Sequence, residues 1–372
     1  MADQLIPPDA LHRWMVEFWR DAGSEEREAT LAADHLVGAN LAGHDSHGVG
    51  MAPRYLQALL DGDLRLNQRV EIASDGGSVL IVEGHHGLGQ SGAFQAMEIA
   101  IERARRQGVC VMGLRNAHHV GRIGHWAEQA VANGLVSIHF TNAVSAPPMV
   151  APYGGAQARF LTNPFTVGIP RKDGDPILLD FATSAIAQGK VRVAYKRKEK
   201  VTHGFLLDAQ GQPTDDPAVL FLPEEGPRGA LVSFAAHKGY ALAMVCELLA
   251  AALTGGPTTR PDNLTMKHAI WNNMLAIVFD PEKLGPGNSF EQEARSFIDW
   301  VQSAPLSGAI DEILMPGDPE RRSRQARAAA VPIDEGTLAE LDEAALLLAR
   351  TKGSSPGPLS RLTRPGPSGE HR

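Results

Sequence analysis

His118 and His119 stand side by side in Asn116-Ala117-His118-His119-Val120-Gly121-Arg122-Ile123-Gly124. Imidazole is the one side chain whose ordinary pKa lies near neutrality, so it can give a proton to a reacting oxygen and take it back. A strand-like run, 109–114, leads into the pair, and a helix-like run from about His125 leads away. Between a strand end and a helix start, flanked by glycines, is where α/β proteins build active sites. A second cluster, Gly43-His44-Asp45-Ser46-His47-Gly48, adds hydroxyl and imidazole groups, and Ser233-Phe234-Ala235-Ala236-His237-Lys238-Gly239-Tyr240 adds an amine. Together these groups point to an enzyme.

Each motif also has a plainer reading. Gly87-Leu88-Gly89-Gln90-Ser91-Gly92 matches the G-x-G-x-x-G pattern that lets a backbone approach a pyrophosphate. That fingerprint wants an acid at the end of the next strand, which here reads Leu114-Arg115-Asn116, so a tight glycine turn is the better expectation. His44 and His47 with His118 and His119 suggest a zinc hydrolase, but the spacing matches no His-Glu-x-x-His helix. A polar loop that holds an anionic or carbonyl substrate fits them better. Lys238, at the start of an apolar helix, opposes the helix dipole, and a bound anion would restore the balance. The run Lys190, Arg192, Lys196, Arg197, Lys198 and Lys200 reads as a solvated face, with cofactor phosphate as the alternative.

The elements that must position these groups follow from periodicity. Helices are expected over 9–22, from a Ser24 cap to 41, and over 53–60. The texture then alternates: strands at 79–82, 109–114, 135–140, 177–181 and 274–279, and helices at 92–106, 125–133 and 240–253. Helices return at 290–302 and 334–351. The expected organisation is a helical lobe from 1–72 and 283–351, a central α/β domain over 73–282, and a disordered Pro/Gly/Ser-rich tail at 352–372. With 372 residues, two packed units are the default. A net charge of −8 argues against nucleic acid as partner. No apolar run is long enough for a membrane span. The start, Met1-Ala2-Asp3-Gln4, lacks a signal peptide's basic and apolar regions, and the two cysteines, Cys110 and Cys246, read as reduced thiols. A cytoplasmic location is expected.

Read in order, several stretches resemble the malate/L-lactate dehydrogenase family that lacks the usual dinucleotide fold. They are residues 39–48 and 116–129, Thr162-Asn163-Pro164-Phe165, Leu179-Asp180-Phe181-Ala182-Thr183-Ser184, His237-Lys238-Gly239-Tyr240-Ala241-Leu242 and Leu314-Met315-Pro316-Gly317. The resemblance covers about residues 8–350. It implies a central mixed sheet of non-Rossmann topology, NAD or NADP as cofactor, and a homodimer. It assigns His119 as proton donor, Ser46 and His47 to the substrate, and Asp180, Ala182, Thr183 and Lys238 to the cofactor. It also demotes the Gly87–Gly92 motif to a structural turn. Two positions depart from the pattern. Met51 stands where many members carry the arginine that binds the substrate carboxylate, leaving Arg54 or Arg122 to replace it and hinting at a larger or less polar substrate. Ala117 stands where serine is common.

The reaction implied is reversible reduction of a small 2-oxo acid to a 2-hydroxy acid. Hydride passes between nicotinamide C4 and substrate C2, His119 exchanges the proton, and His47 assists. Reduction of a cyclic imino acid (C=N) is the nearest alternative. A metal-dependent hydrolase and a non-catalytic binding protein are more distant ones.

Overall fold

Apolar side chains at three- and four-residue spacing make helices of both chain ends, and alternating runs make strands of the middle. The computed structural model describes residues 3–223, 226–285, 289–308 and 310–363. Its first half runs β1 (Gln4–Ile6), α1 (Pro8–Ala22), α2 (Glu26–Leu41), α3 (Ala52–Asp61), β2 (Glu71–Asp75), β3 (Val79–Glu83) and α4 (Gly89–Gln107). Then come β4 (Val109–His118), α5 (Gly124–Val131), β5 (Val136–Val144), β6 (Phe165–Ile169), β7 (Ile177–Phe181) and α6 (Gln188–Arg197). Short strands β8 (Leu206–Leu207), β9 (Pro213–Thr214) and β10 (Ala230–Leu231) precede α7 (His237–Glu247) and β11 (Trp271–Phe279). The chain closes with α8 (Ser289–Gln302), α9 (Asp318–Ala326), β12 (Val331–Ile333) and α10 (Glu335–Lys352).

The central sheet has seven strands in the order β2-β3-β4-β11-β5-β6-β7. Only β3 and β4 are parallel, and α4 supplies the crossover such a pair needs. That segment reproduces one βαβ unit, with the glycine-rich turn at its expected place. The likeness to a dinucleotide fold ends there, because β11 pairs antiparallel with both β4 and β5 and so occupies the other edge of β4. The fold is mixed α/β, as expected. Leu80, Met97, Met112, Leu114 and Trp126 fill the space between this sheet and α4 and α5.

Both termini share the second core. Trp14, Phe18 and Trp19 of α1 pack with Leu36, Tyr55 and Leu56 and with Leu338, Leu341 and Leu348 of α10. Fully burying one such leucine or phenylalanine is worth about 1.5–3 kcal/mol. β1 and β12 pair antiparallel, Gln4 opposite Ile333, and sew the two ends together. A third cluster, Val150, Phe160, Val191, Leu206 and Leu231, lies under the small sheet β10-β8-β9.

Several boundaries differ from expectation. Ser24 does not cap α2; Glu25 holds that position, and Ser24 Oγ donates to Glu28 at 2.8 Å. β4 extends to His118, and α4 starts three residues earlier than its apolar stripe suggested. Within the stretch assigned to the lobe, α8 flanks the β6–β7 turn, where Glu291 accepts from the Lys172 amide at 3.1 Å and Arg295 donates to Asp173 at 2.7 Å. Part of the expected disordered tail is packed: Leu359 is buried and Trp14 Nε1 donates to the Gly357 carbonyl at 2.9 Å. The rest of that tail, 364–372, lies outside the described residues. Among the described residues no helix is long and apolar enough to cross a membrane, and both cysteines are free and buried.

Candidate active site

β4, an interior strand, carries the imidazole pair at its C-terminal end, where lobe and sheet meet. Past His118 the chain is clamped from both sides. Val120 donates its amide to Asn272 Oδ1 of β11 at 2.8 Å, and Arg122 donates its amide to His35 Nε2 of α2 at 2.8 Å. Gly121, at φ +72°, lies so tightly against His35 that a side chain there would collide with the ring. The loop between β4 and α5 is thereby fixed by groups from two distant elements.

The clamp points the two rings differently. His118 is fully buried, with neither ring nitrogen hydrogen-bonded among the described residues, and it packs edge-on against Tyr55 at 4.9 Å. That is a core position. His119 meets the buried Tyr55 hydroxyl through Nδ1 and stacks against His47, ring centres 5.5 Å apart. Of the two, only His119 has a hydrogen-bonded ring nitrogen among the described residues.

The second cluster arrives on the short turn Asp45–His47, held by Asp45. That carboxylate accepts from Asn40 at 2.7 Å and from both guanidinium nitrogens of Arg327, at 2.6 and 3.0 Å. Ser46 Oγ and His47 Nδ1 are 2.9 Å apart. Gly189 at the start of α6 lies against Ser46, so the basic helix borders this loop. His44 turns away and pairs with Glu320 at 3.0 Å. Met51 packs against the apolar core of the lobe, which weakens the hint that it shapes the substrate.

The two candidate arginines have separate fates. Arg54 Nε donates to the His268 carbonyl at 2.7 Å and Nη2 to Ser145 Oγ at 2.8 Å, leaving Nη1 free among the described residues. Its charge is felt at both His118 and His119. Arg122, with a side chain 4% exposed, donates to Glu128 at 2.6 Å and sits 4.0 Å from Asp180. Asp180 is itself committed, accepting from the Gly124 amide at 2.8 Å and from Thr166 Oγ1 at 2.7 Å. Arg122 and Asp180 thus brace the start of α5, and Asp180 has no bond-free oxygen.

Beyond β7, Ala182 is half-buried, and the buried Thr183 donates its hydroxyl to the carbonyls of Thr162 and Asn163 at 3.1 and 3.0 Å. The Phe234 amide donates to the Thr183 carbonyl at 3.0 Å, which ties this segment to the turn before α7. Ala235 and Ala236 in that turn hold φ of +44° and +55°, conformations that cost energy for a residue with a Cβ. Lys238 follows, exposed, its ammonium unpaired among the described residues. A strained turn, a helix start and a free amine suit a phosphate-bearing cofactor. Nothing links Lys238 directly to His119.

Burial sets the charge state of the site. It holds His119 well below the usual histidine pKa, brings His118 down to about 3 and His47 to about 4, with neighbouring cationic groups adding to each. All three are neutral at physiological pH. The same desolvation lowers Arg54 and keeps the Tyr55 phenol protonated. Tyr55, Gln90, His35 and Asn272 were not singled out from sequence. Tyr55 alone carried a signal, since a tyrosine on an apolar helix face needs a partner for its hydroxyl. Among the described residues no three His, Cys, Asp or Glu side chains are grouped to hold a metal ion.

A profile of the malate/L-lactate dehydrogenase family matches residues 6–342. Hydroxycarboxylate dehydrogenase B of Escherichia coli O157:H7 is 47% identical over 340 residues, covering 90% of this chain and 92% of that protein. L-lactate dehydrogenase of Cupriavidus necator is 39% identical over 294 residues, covering 78% and 83%. The structure of delta1-piperideine-2-carboxylate reductase from Pseudomonas syringae superposes with a TM-score of 0.79 at 30% identity, covering 92% and 100%. On the profile and the breadth of these matches, the chain belongs to the malate/L-lactate dehydrogenase family.

Proposed function

We propose that this NAD(P)-dependent dehydrogenase of hydroxy acids exchanges the substrate proton at His119. The observation that supports it best is the setting of that ring: its Nδ1 held by Tyr55, its face against His47, at the end of the central strand. In reduction His119 gives a proton to the C2 oxygen of a 2-oxo acid, and in oxidation it takes the proton from the 2-hydroxy acid. Ser46, His47 and Arg54 orient the substrate, Arg54 taking its carboxylate, so that one face of C2 meets the cofactor. Arg122 is a bracing residue in this reading, because Glu128 and Asp180 already occupy its charge.

NAD or NADP supplies hydride at nicotinamide C4 when bound. Lys238 and the segment Asp180-Phe181-Ala182-Thr183 would hold it, Lys238 through phosphate and Asp180 by fixing the backbone around it. A homodimer is supported by apolar side chains left open along and after α7, among them Leu248 and Leu253, 50% and 65% exposed. Likeness to the Pseudomonas syringae reductase supports cyclic imino acids as a second substrate class. The discriminating experiment assays linear 2-oxo acids and cyclic imino acids side by side with wild type and His119→Asn. Loss of roughly 10²–10⁴ in rate is expected for the variant on the true substrate. Turnover within a few-fold of wild type would remove His119 from the reaction.

A further inference from the structure

The glycine-rich run and the buried tyrosine both lead to His119. Gly89, the first residue of α4, lies so close under the end of β4 that a Cβ there would collide with the carbonyl oxygens of His118 and His119. This approach carries the next residue, the fully buried Gln90, beneath the reacting ring. Its amide nitrogen lies 3.2 Å from the His119 carbonyl oxygen and 3.4 Å from the Tyr55 hydroxyl. The Tyr55 oxygen in turn meets His119 Nδ1.

The donor and acceptor roles along this chain are read from its Gln90 end. A carbonyl oxygen only accepts, so Gln90 presents its NH2 to His119, and the same nitrogen donates to the tyrosine oxygen. The single proton of the phenol then has one acceptor within reach, His119 Nδ1. In a neutral imidazole a nitrogen that accepts leaves the proton on the other. That other nitrogen, Nε2, has no protein partner among the described residues and is not sealed from solvent, so it is open to a ligand.

We infer that Gln90 and Tyr55 are positioning residues that lock His119 as its Nε2–H tautomer and relay a proton to it. The inference rests on His119 being the proton donor. As the substrate C2 oxygen takes the proton from Nε2, Nδ1 takes the phenolic proton of Tyr55. The Nε2–H and Oη–H bonds break, while the product O–H and the Nδ1–H bonds form. The negative charge left on the tyrosine oxygen faces the Gln90 amide and feels the Arg54 guanidinium. A solvent proton restores the phenol after product leaves, and oxidation runs the same transfers backwards. The imidazole never carries two protons; the charge is borne instead by the Tyr55 oxygen, where burial opposes it and the Gln90 hydrogen bond and the Arg54 charge favour it. The glycine-rich turn, which carries no pyrophosphate in this account, brings the glutamine into place.

The test reads the tautomer first, without turnover. Histidine-selective 15N labelling of the full-length protein, with His119→Asn to assign the resonance, is expected to show Nε2–H in wild type. Tyr55→Phe keeps the aromatic packing on His118 and is expected to release the ring to the Nδ1–H form or a mixture. With a 2-oxo acid, Tyr55→Phe is expected to lose roughly tenfold to a hundredfold in kcat, with KM within about threefold. Rates in H2O/D2O mixtures are expected to bow for wild type, where two protons move, and to run straight for Tyr55→Phe. Gln90→Met is expected to shift tautomer and kcat in the same direction by a smaller factor. An Nδ1–H ring in wild type, or a folded Tyr55→Phe enzyme with wild-type kcat, overturns the inference. If His119→Asn is inactive while Nδ1–H is found, the lock and the relay fall and the donor role stands. If His119→Asn keeps turnover, the donor role and the relay fall together.

Discussion

Two arginines lie near His119, and their surroundings assign them opposite consequences. Arg122 is buried between Glu128 and Asp180, so Arg122→Met removes one of the two guanidinium partners of Glu128, Arg324 being the other, and the cation beside Asp180. Losing one buried hydrogen-bonded charge while Glu128 keeps Arg324 should cost about 1–3 kcal/mol, and the midpoint of urea unfolding should fall accordingly. Arg54 is fastened along one edge only. Arg54→Met should raise KM for the 2-oxo acid roughly tenfold to a hundredfold, with a smaller loss of stability, as initial rates against substrate concentration will show. The reverse pattern would exchange the two roles. The histidine pair was legible in sequence because a strand, glycines and a helix bracket it, and the family resemblance then singled out His119. The fate of Arg122 was not, because Asp180 comes from β7 and nothing near Arg122 announces it.

At the scale of elements, the turn between β3 and α4 is where pattern and structure part company. The motif is present, the βαβ unit is present, and the close approach is made to the backbone of His118 and His119. Gly89→Ala should therefore cost about 1–3 kcal/mol through overpacking and depress kcat by displacing His119. Gly92, three residues on, has only Val70 at 3.8 Å from a built Cβ. Gly92→Ala should be neutral or stabilising by up to about 1 kcal/mol, since alanine favours a helix interior. Thermal melts with cofactor KM check the contrast; a large rise in cofactor KM for Gly92→Ala would restore the pyrophosphate reading. Most helices and central strands were legible from periodicity. The helix α6 was not, because its basic residues surround it without a clear apolar stripe, and the insertion of β11 between β4 and β5 is a long-range pairing that leaves no local mark.

For the whole molecule, the buried histidines make stability depend on pH. His118 and His139 are fully buried and held at about 3, whereas in the unfolded chain they titrate near 6.5. Between those values the unfolded state binds more protons, so the stabilisation is complete above about pH 6.5 and drains away as pH falls towards 3. Each ring should remove about 1.4 kcal/mol per pH unit across that window. Urea titrations at several pH values will measure the slope, and a flat profile from pH 7 to 4 would contradict the neutral, buried assignment. The clamp on the His119 loop joins lobe and sheet through His35 and Asn272, so the site should be lost with the global fold.

The most direct test of the central claim follows NADH and NADPH oxidation by absorbance across a panel of small, dicarboxylic and aromatic 2-oxo acids, wild type beside His119→Asn. Turnover of at least one 2-oxo acid by wild type is expected, with a loss of roughly 10²–10⁴ in the variant. Equal turnover by the two proteins, or none by wild type with either cofactor, would contradict it.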